Sequence, residues 1–249
     1  MQDSKPVKTP LNPNVTLSKE DSPQTPEDKE AMINVPYMSA VGSLLFLSMI
    51  IRADTAYATG VLTRFNSNPG PAHWLAVKHL LRYLKGTIDY ELELGPDPTA
   101  PDLITAISDS DLGGNKDNGK STTGLMSAGV VNSTEAEFVA SNAVGKEVLA
   151  IRSLLTELGY KVASPTIIHV DNQSSIQVAK NPEHHGRMKH LDRTFYWLRE
   201  QVIHGKLAPS YLPTEDNPAD LLTKALAIPK VDKFRTMIGL VKPITSDDE

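Results

Sequence analysis

Four acidic positions in the sequence fall where a strand is expected to end or a helix to begin. They are Asp109 or Asp111 in DLITAISDSD, Glu135 or Glu137 in STEAEFVA, Asp171 in SPTIIHVDN, and Asp220 in NPADLLTK. Taken singly, an Asp at a strand end serves a turn, and an acid in the first turn of a helix complements the helix dipole. Thr134-Glu135-Ala136-Glu137 also fits a capping box, in which Glu137 would reach back to the amide of its own helix. Taken together they mean more. Parallel strands deliver side chains from distant sequence positions to one sheet edge, and carboxylates gathered there repel one another unless a divalent cation neutralises them. The chemistry that needs such a cluster is two-metal phosphodiester cleavage, with ions roughly 3.5–4 Å apart clamping the attacking and leaving oxygens. Positions two apart in a strand share a face, so period alone does not choose between Asp109 and Asp111.

A second group is basic. HHGRMKHLDR gathers His184, His185, Arg187, Lys189, His190 and Arg193 in a chain whose net charge is −5. A solvated loop is the plain reading and a phosphate-contacting loop the sharper one, since Lys and Arg bind phosphate whatever the base sequence. The histidine spacings match no common zinc pattern, and the absence of cysteine excludes disulfides and cysteine-based zinc sites.

Several elements must position these groups. A chain of 249 residues with 40% hydrophobic and 22% charged residues has room for one large or two small domains. No apolar run reaches the roughly 18–20 residues of a membrane span and no secretory region follows Met1, so a soluble protein of the cytoplasm or nucleus with no membrane partner is expected. Residues 1–35 are rich in proline and charge and poor in apolar periodicity, and read as an extended or disordered arm. Residues 36–98 read as helical: one helix through Val41–Ile51, a second near Ala56–Phe65, and a third opened by Pro71, with Lys78, Arg82 and Lys85 on its polar faces and Gly86 at its stop. After the linker GPDPTAPD come a strand ending at the aspartates, a Gly-rich turn, a strand near Ser121–Met126 and a helix over Ser133–Leu158 stopped by Gly159. A strand at TIIHV, helices over Gln173–Lys180 and about Leu191–Val202, a strand in KLAPSYLP and a helix at NPADLLTK complete this part. The order predicts an α/β fold, a mixed sheet with flanking helices. Residues 227–249 read as a C-terminal helix and acidic tail.

SDSDLGGNKDNGKSTTG, STEAEFVA, HVDNQSSIQVAKNPEHHGRMKHLD and GKLAPSYLPTEDNPADLLTKAL, in this order over residues 103–226, resemble the ribonuclease H domain of copia-type retrotransposon polyproteins. Upstream, VPYMSAVGSLLFLSMIIRADTAYATGVLTRF and HWLAVKHLLRYLKGT resemble the thumb- or connection-like end of the same family's reverse transcriptase. The resemblance implies a ribonuclease H-like sheet in which Asp109, Glu137, Asp171 and Asp220 hold two Mg2+ ions, and a nuclease that cuts the RNA strand of an RNA–DNA hybrid. It prefers Glu137 because the family's acid stands just before an aromatic residue, here Phe138. Arg187, Lys189, His190 and Arg193 would contact the hybrid, whose recognition rests on backbone shape and 2′-hydroxyls. The family's paired polymerase aspartates do not occur in this sequence, so an upstream polymerase part of the polyprotein is the implied protein partner.

Where the family has two further segments of strand and turn, only Leu125–Asn132 separate Gly124 from Ser133. A strand of about five or six residues and a turn of two to five do not both fit there beside the end of the preceding strand. The third strand of the sheet is therefore expected to be missing or vestigial. Leu112 stands where the family has tryptophan and Ala53 where it has proline. The alternative expectation is a catalytically inactive remnant that at most binds nucleic acid.

Overall fold

The computed structural model describes residue 1 and residues 3–93, 104–111, 116–117, 122–123, 133–162, 165–180 and 192–243. Two compact units result, one formed by Met1–Leu94, Lys116–Asn118 and Lys224–Glu249, the other by Gly95–Asn115 and Gly119–Thr223.

The first unit is built on helices α1 (Pro26–Ile33), α2 (Tyr37–Ile50), α3 (Ala56–Thr63) and α4 (Pro71–Gly86), followed by the short strand β1 (Glu91–Leu92). Pro71 starts α4 because a proline at the first helical position gives up an amide that has no helical partner. The helix then buries Ala76, Val77, Leu80 and Tyr83 against Val41, Leu44, Val61 and Leu62. Beside this core, Arg52 forks onto Asp54 at 2.9–3.0 Å, and the Tyr83 hydroxyl donates to the same aspartate at 2.6 Å. Asp54 is fully buried, so these bonds are what allow its charge to stay inside.

The arm differs from its expectation. Prolines do keep residues 3–17 out of regular structure, but the arm lies along α4, whose polar side chains use its carbonyls as acceptors. Nε2 of His79 donates to the Thr9 carbonyl at 2.9 Å, Lys85 Nζ to the Ser4 carbonyl at 2.9 Å, and Nε2 of His73 to the Ser18 carbonyl at 3.0 Å. His73 Nδ1 accepts the Gly70 amide, which fixes the tautomer, and burial lowers the ring's pKa. At the end of the arm, Thr25 and Asp28 cap α1 reciprocally ahead of Pro26, a start signal that outweighs the segment's charge.

In the second unit, β2 (Ala106–Ser108), β5 (Thr166–Val170) and β6 (Leu207–Tyr211) form a parallel sheet in the order β2-β5-β6. Ser108 pairs with Val170, and Val170 with Tyr211. Pro209, which has no amide to donate, sits on the edge strand β6. A short antiparallel pair, β3 (Ser110–Asp111) with β4 (Thr122–Thr123), follows β2. The helices are α5 (Ser133–Glu157), α6 (Gln173–Lys180), α7 (Asp192–Ile203) and α8 (Asp220–Thr223). Ala106, Val148, Ile168, Val170, Ile176, Ala179, Leu198 and Leu207 make the core between sheet and helices. Gly145 lets α5 approach closely, since a Cβ there would stand 3.0 Å from Leu207 and 3.3 Å from Trp197. Gly159, at φ +88°, closes α5 as expected, with the Tyr160 amide returning to the Leu155 carbonyl at 2.9 Å. The expectation of a lost third strand falls on residues 124–132, outside the described residues.

The chain then returns to the first unit through α9 (Ile228–Met237) and β7 (Leu240–Val241), which pairs antiparallel with β1. The C-terminal helix expected in residues 227–249 is thus present as α9, and the acidic tail at 244–249 lies outside the described residues. Arg235 stacks on the Tyr90 ring at 4.3 Å and donates to the Tyr83 hydroxyl at 3.4 Å. Among the described residues no single helix is long and apolar enough to cross a membrane, and α1 and α2 pass that test only as a pair bent by 59°.

Candidate metal centre

The parallel register of β2 and β5 sets Ser108 beside Val170, so the next residue of each strand, Asp109 and Asp171, emerges at the same edge of the sheet. Helix α5 crosses that edge and brings Glu137 from near its N-terminal end. One oxygen from each of Asp109, Glu137 and Asp171 lies within 4.8 Å of the others. Asp109 and Glu137 are buried and Asp171 is partly exposed, so the cluster opens to solvent on the Asp171 side.

Each carboxylate is held by a hydroxyl. Ser110 donates both its amide and its Oγ–H to Oε1 of Glu137 at 2.9 Å. Thr223, on α8, donates to Oδ2 of Asp109, and Thr214 donates to Oδ2 of Asp171 at 3.1 Å. Asn217 ties the α8 approach to β2 by donating to the Ser108 carbonyl at 3.3 Å. Glu137 Oε2 is buried with no hydrogen-bond partner among the described residues. Burial, and then the charges of Asp171 and Asp109, push the Glu137 carboxyl up to about 8 against the opposing pull of Ser110. A glutamate in this state is one whose charged form lacks a counter-charge.

The capping-box reading of Glu137 does not hold, because its carboxylate turns to Ser110 on β3 rather than back along α5. Asp109 joins the cluster; the backbone of Asp111 pairs with Thr122, and its side chain is outside the described residues. Asp220 is buried as the first residue of α8, one turn before Thr223, and lies outside the three-carboxylate set. Of the basic group, His184, His185, Arg187, Lys189 and His190 fall outside the described residues. Arg193 lies on α7, with its side chain likewise outside them. Ser110, Thr214 and Thr223 were not anticipated. The only signal for them is a hydroxyl residue next to or one helical turn from an acid, as in the SDSD run, which is too common to single them out.

The donor set fits a divalent cation of the Mg2+ type. All its donors are hard carboxylate oxygens, one of them buried and unpartnered, and a bound cation would supply the missing counter-charge.

Comparison with known proteins gives the chain its relatives. It is 39% identical over 256 residues to the retrovirus-related Pol polyprotein from transposon TNT 1-94 of Nicotiana tabacum, a match covering 96% of this chain and 19% of that protein. It is a retrotransposon Pol polyprotein homologue. The corresponding polyprotein from transposon RE2 of Arabidopsis thaliana is 34% identical over 257 residues, covering 97% of this chain and 17% of its own length. A shorter match, 44% identical over 95 residues, is to secreted RxLR effector protein 161 of Plasmopara viticola and covers 38% of this chain and 66% of that protein. The Pol homologue thus spans less than a fifth of the length of the two polyproteins. No family model and no solved structure matches it.

Proposed function

We propose that the second unit is a retrotransposon-derived ribonuclease H that cleaves the RNA strand of RNA–DNA hybrids. The observation that carries this reading is the convergence of Asp109, Glu137 and Asp171 within 4.8 Å, with a buried, unpartnered oxygen on Glu137. The topology agrees with it: parallel strands deliver two acids to one edge and a crossing helix delivers the third. So does the similarity to Pol polyproteins over nearly the whole chain.

Asp109 and Glu137, buried and anchored by Thr223 and Ser110, form the fixed side of the site. Asp171, on the open side, meets the phosphodiester that enters from solvent. Two Mg2+ ions, when bound, supply positive charge for the scissile phosphate and a lowered pKa for the attacking water. Glu137 would be held as the carboxylate with a cation bound, because the counter-charge would offset the burial and the neighbouring charges that raise its pKa. Arg187, Lys189, His190 and Arg193 serve this reading as phosphate contacts along the hybrid, whose A-like shape and 2′-hydroxyls distinguish it from duplex DNA.

A second reading is hybrid binding without cleavage by an inactive remnant. It is favoured by Asp220 lying outside the set, which leaves three carboxylates among the described residues where four were expected. An end-labelled RNA–DNA hybrid incubated with Mg2+ and either the wild type or Asp171→Asn separates the two. The nuclease reading expects cleavage by the wild type alone, and the remnant reading expects salt-dependent binding with no cleavage by either.

A further inference from the structure

His73 is fully buried in the first turn of α4, and both of its ring nitrogens are committed. Nδ1 accepts the Gly70 amide at 2.9 Å, closing the cap of α4, and Nε2 donates to the Ser18 carbonyl at 3.0 Å, holding the arm. The ring lies on Phe65, itself buried, with centroids 3.9 Å apart and planes 15° from parallel. Around it the arm fits tightly onto residues 68–73. Ser22 Oγ donates to the Asn68 carbonyl at 2.9 Å, and Gly70 is bare where a Cβ would stand 1.9 Å from the Asp21 carbonyl. One neutral imidazole therefore joins two segments 55 residues apart.

We infer that His73 is an acid-sensitive latch: a proton on Nδ1 displaces the ring from Gly70 and releases the arm around Ser18–Ser22 from the start of α4. The geometry leaves a protonated ring no place to stay. Imidazolium donates from both nitrogens, so Nδ1–H would point at the Gly70 N–H. Turning the ring over within its stack on Phe65 presents carbon to both partners and strands the Gly70 amide and the Ser18 carbonyl. The charges acting on the ring are Asp21 and Asp117, which favour the proton, and burial opposes them and prevails. Helices α2 and α3 carry no charged residue, Lys19, Glu20, Glu27 and Glu30 are exposed, and Asp28 is engaged with Thr25. His79 donates to the Thr9 carbonyl through Nε2 and keeps that donor when protonated, so the Thr9 end of the arm is not part of the latch. A released imidazole takes its proton near the ordinary pKa of about 6.5, and the latched one resists it. The latch is therefore closed above that pH and opens as the pH falls below it.

Amide hydrogen exchange on the full chain between about pH 7.5 and about pH 5.5, corrected for the intrinsic rate at each pH, tests this against His73→Gln. Glutamine at this position of the cap keeps an acceptor for the Gly70 amide and a donor for the Ser18 carbonyl, and it does not titrate. The amides to follow are those of Asp21, Ser22 and Gly70, each hydrogen-bonded in the closed state. Their protection is expected to fall at least tenfold in the wild type as the pH is lowered and to hold in His73→Gln. Protection that does not fall in the wild type, or that falls equally in His73→Gln, would overturn the inference. Nitrogen NMR shifts of the wild-type imidazole give a second reading that needs no variant. Nδ1 is expected to take up its proton at the same midpoint at which the Ser22 and Gly70 amide signals move, and a ring that is protonated while those signals stay in place would likewise overturn the inference. Neither measurement involves Mg2+ or nuclease activity.

Discussion

Ser110 donates twice to one atom: its amide and its hydroxyl both reach Oε1 of Glu137, at 2.9 Å each. The pair fixes which oxygen of the glutamate faces β3 and leaves Oε2, buried and without a partner, for the carboxylate cluster. The aim of Glu137 is therefore set by a residue that is not itself an acid, while burial and the neighbouring aspartates set its charge state.

Ser110→Ala removes one of the two donors and keeps the amide. A hydrogen bond to a charged group contributes about 1.5–3 kcal/mol, so roughly a tenfold or larger loss of Mg2+ affinity is expected, with Ser110→Thr retaining most of it. The Mg2+-induced rise in melting temperature reads this directly, because the rise follows the ratio of free cation to its dissociation constant. An unchanged rise in Ser110→Ala would show that Glu137 needs no such positioning.

The raised pKa of Glu137 makes the metal-free protein sensitive to pH with a definite sign. In the unfolded chain this carboxyl titrates near 4.5 and in the folded one near 8, so between these values the folded state holds more protons. Its contribution to stability is then fully present below about pH 4.5 and is lost as the pH rises through 8. In EDTA, the wild type should lose stability relative to Glu137→Gln as the pH goes from 5 to 8, on the order of 1 kcal/mol for each pH unit. Parallel pH profiles of urea midpoints for the two proteins would contradict this.

Asp54 offers a test of the first unit. It is fully buried and receives Arg52 at 2.9 Å and Tyr83 at 2.6 Å. Asp54→Ala strands the Arg52 guanidinium without its counter-charge, and a loss of about 3–5 kcal/mol is expected from chemical denaturation. A loss below about 1 kcal/mol would mean that Thr87 and solvent suffice for Arg52.

Thr223→Val keeps the volume of the side chain and removes the hydroxyl that donates to Asp109. Loss of a hydrogen bond to a charged group costs about 1.5–3 kcal/mol in the metal-free protein, measurable as a lower urea midpoint. Added Mg2+ should recover part of this loss by neutralising Asp109, and the absence of any recovery would place Asp109 outside the cation site.

The parts legible in the sequence were those with strong local signals. Helices α4, α5 and α6 begin or end at Pro71, Ser133, Gly159 and Gln173 close to where periodicity and stop residues place them. Strand β5 is a run of apolar residues ahead of Asp171 and is found there. The arm was not legible, because its packing uses its own carbonyls as acceptors for His73, His79 and Lys85, and a carbonyl leaves no mark in residue type. The same limit applies to the hydroxyls of Ser110, Thr214 and Thr223, which reach the carboxylates from other elements. The return of residues 227–243 to the first unit depends on Arg235 finding Tyr83 and Tyr90, contacts between segments about 150 residues apart, which no local pattern encodes.

The claim on which the rest stands is that Asp109, Glu137 and Asp171 form a divalent cation site, and titration calorimetry with Mg2+ and Mn2+ on the full chain tests it most directly. The expected result is saturable binding in the wild type that weakens at least tenfold in Asp109→Asn and in Asp171→Asn, with release of up to about one proton near pH 7 as Glu137 ionises, read from the dependence of the heat on the buffer. No saturable binding in the wild type, or binding that both substitutions leave unchanged, would contradict it.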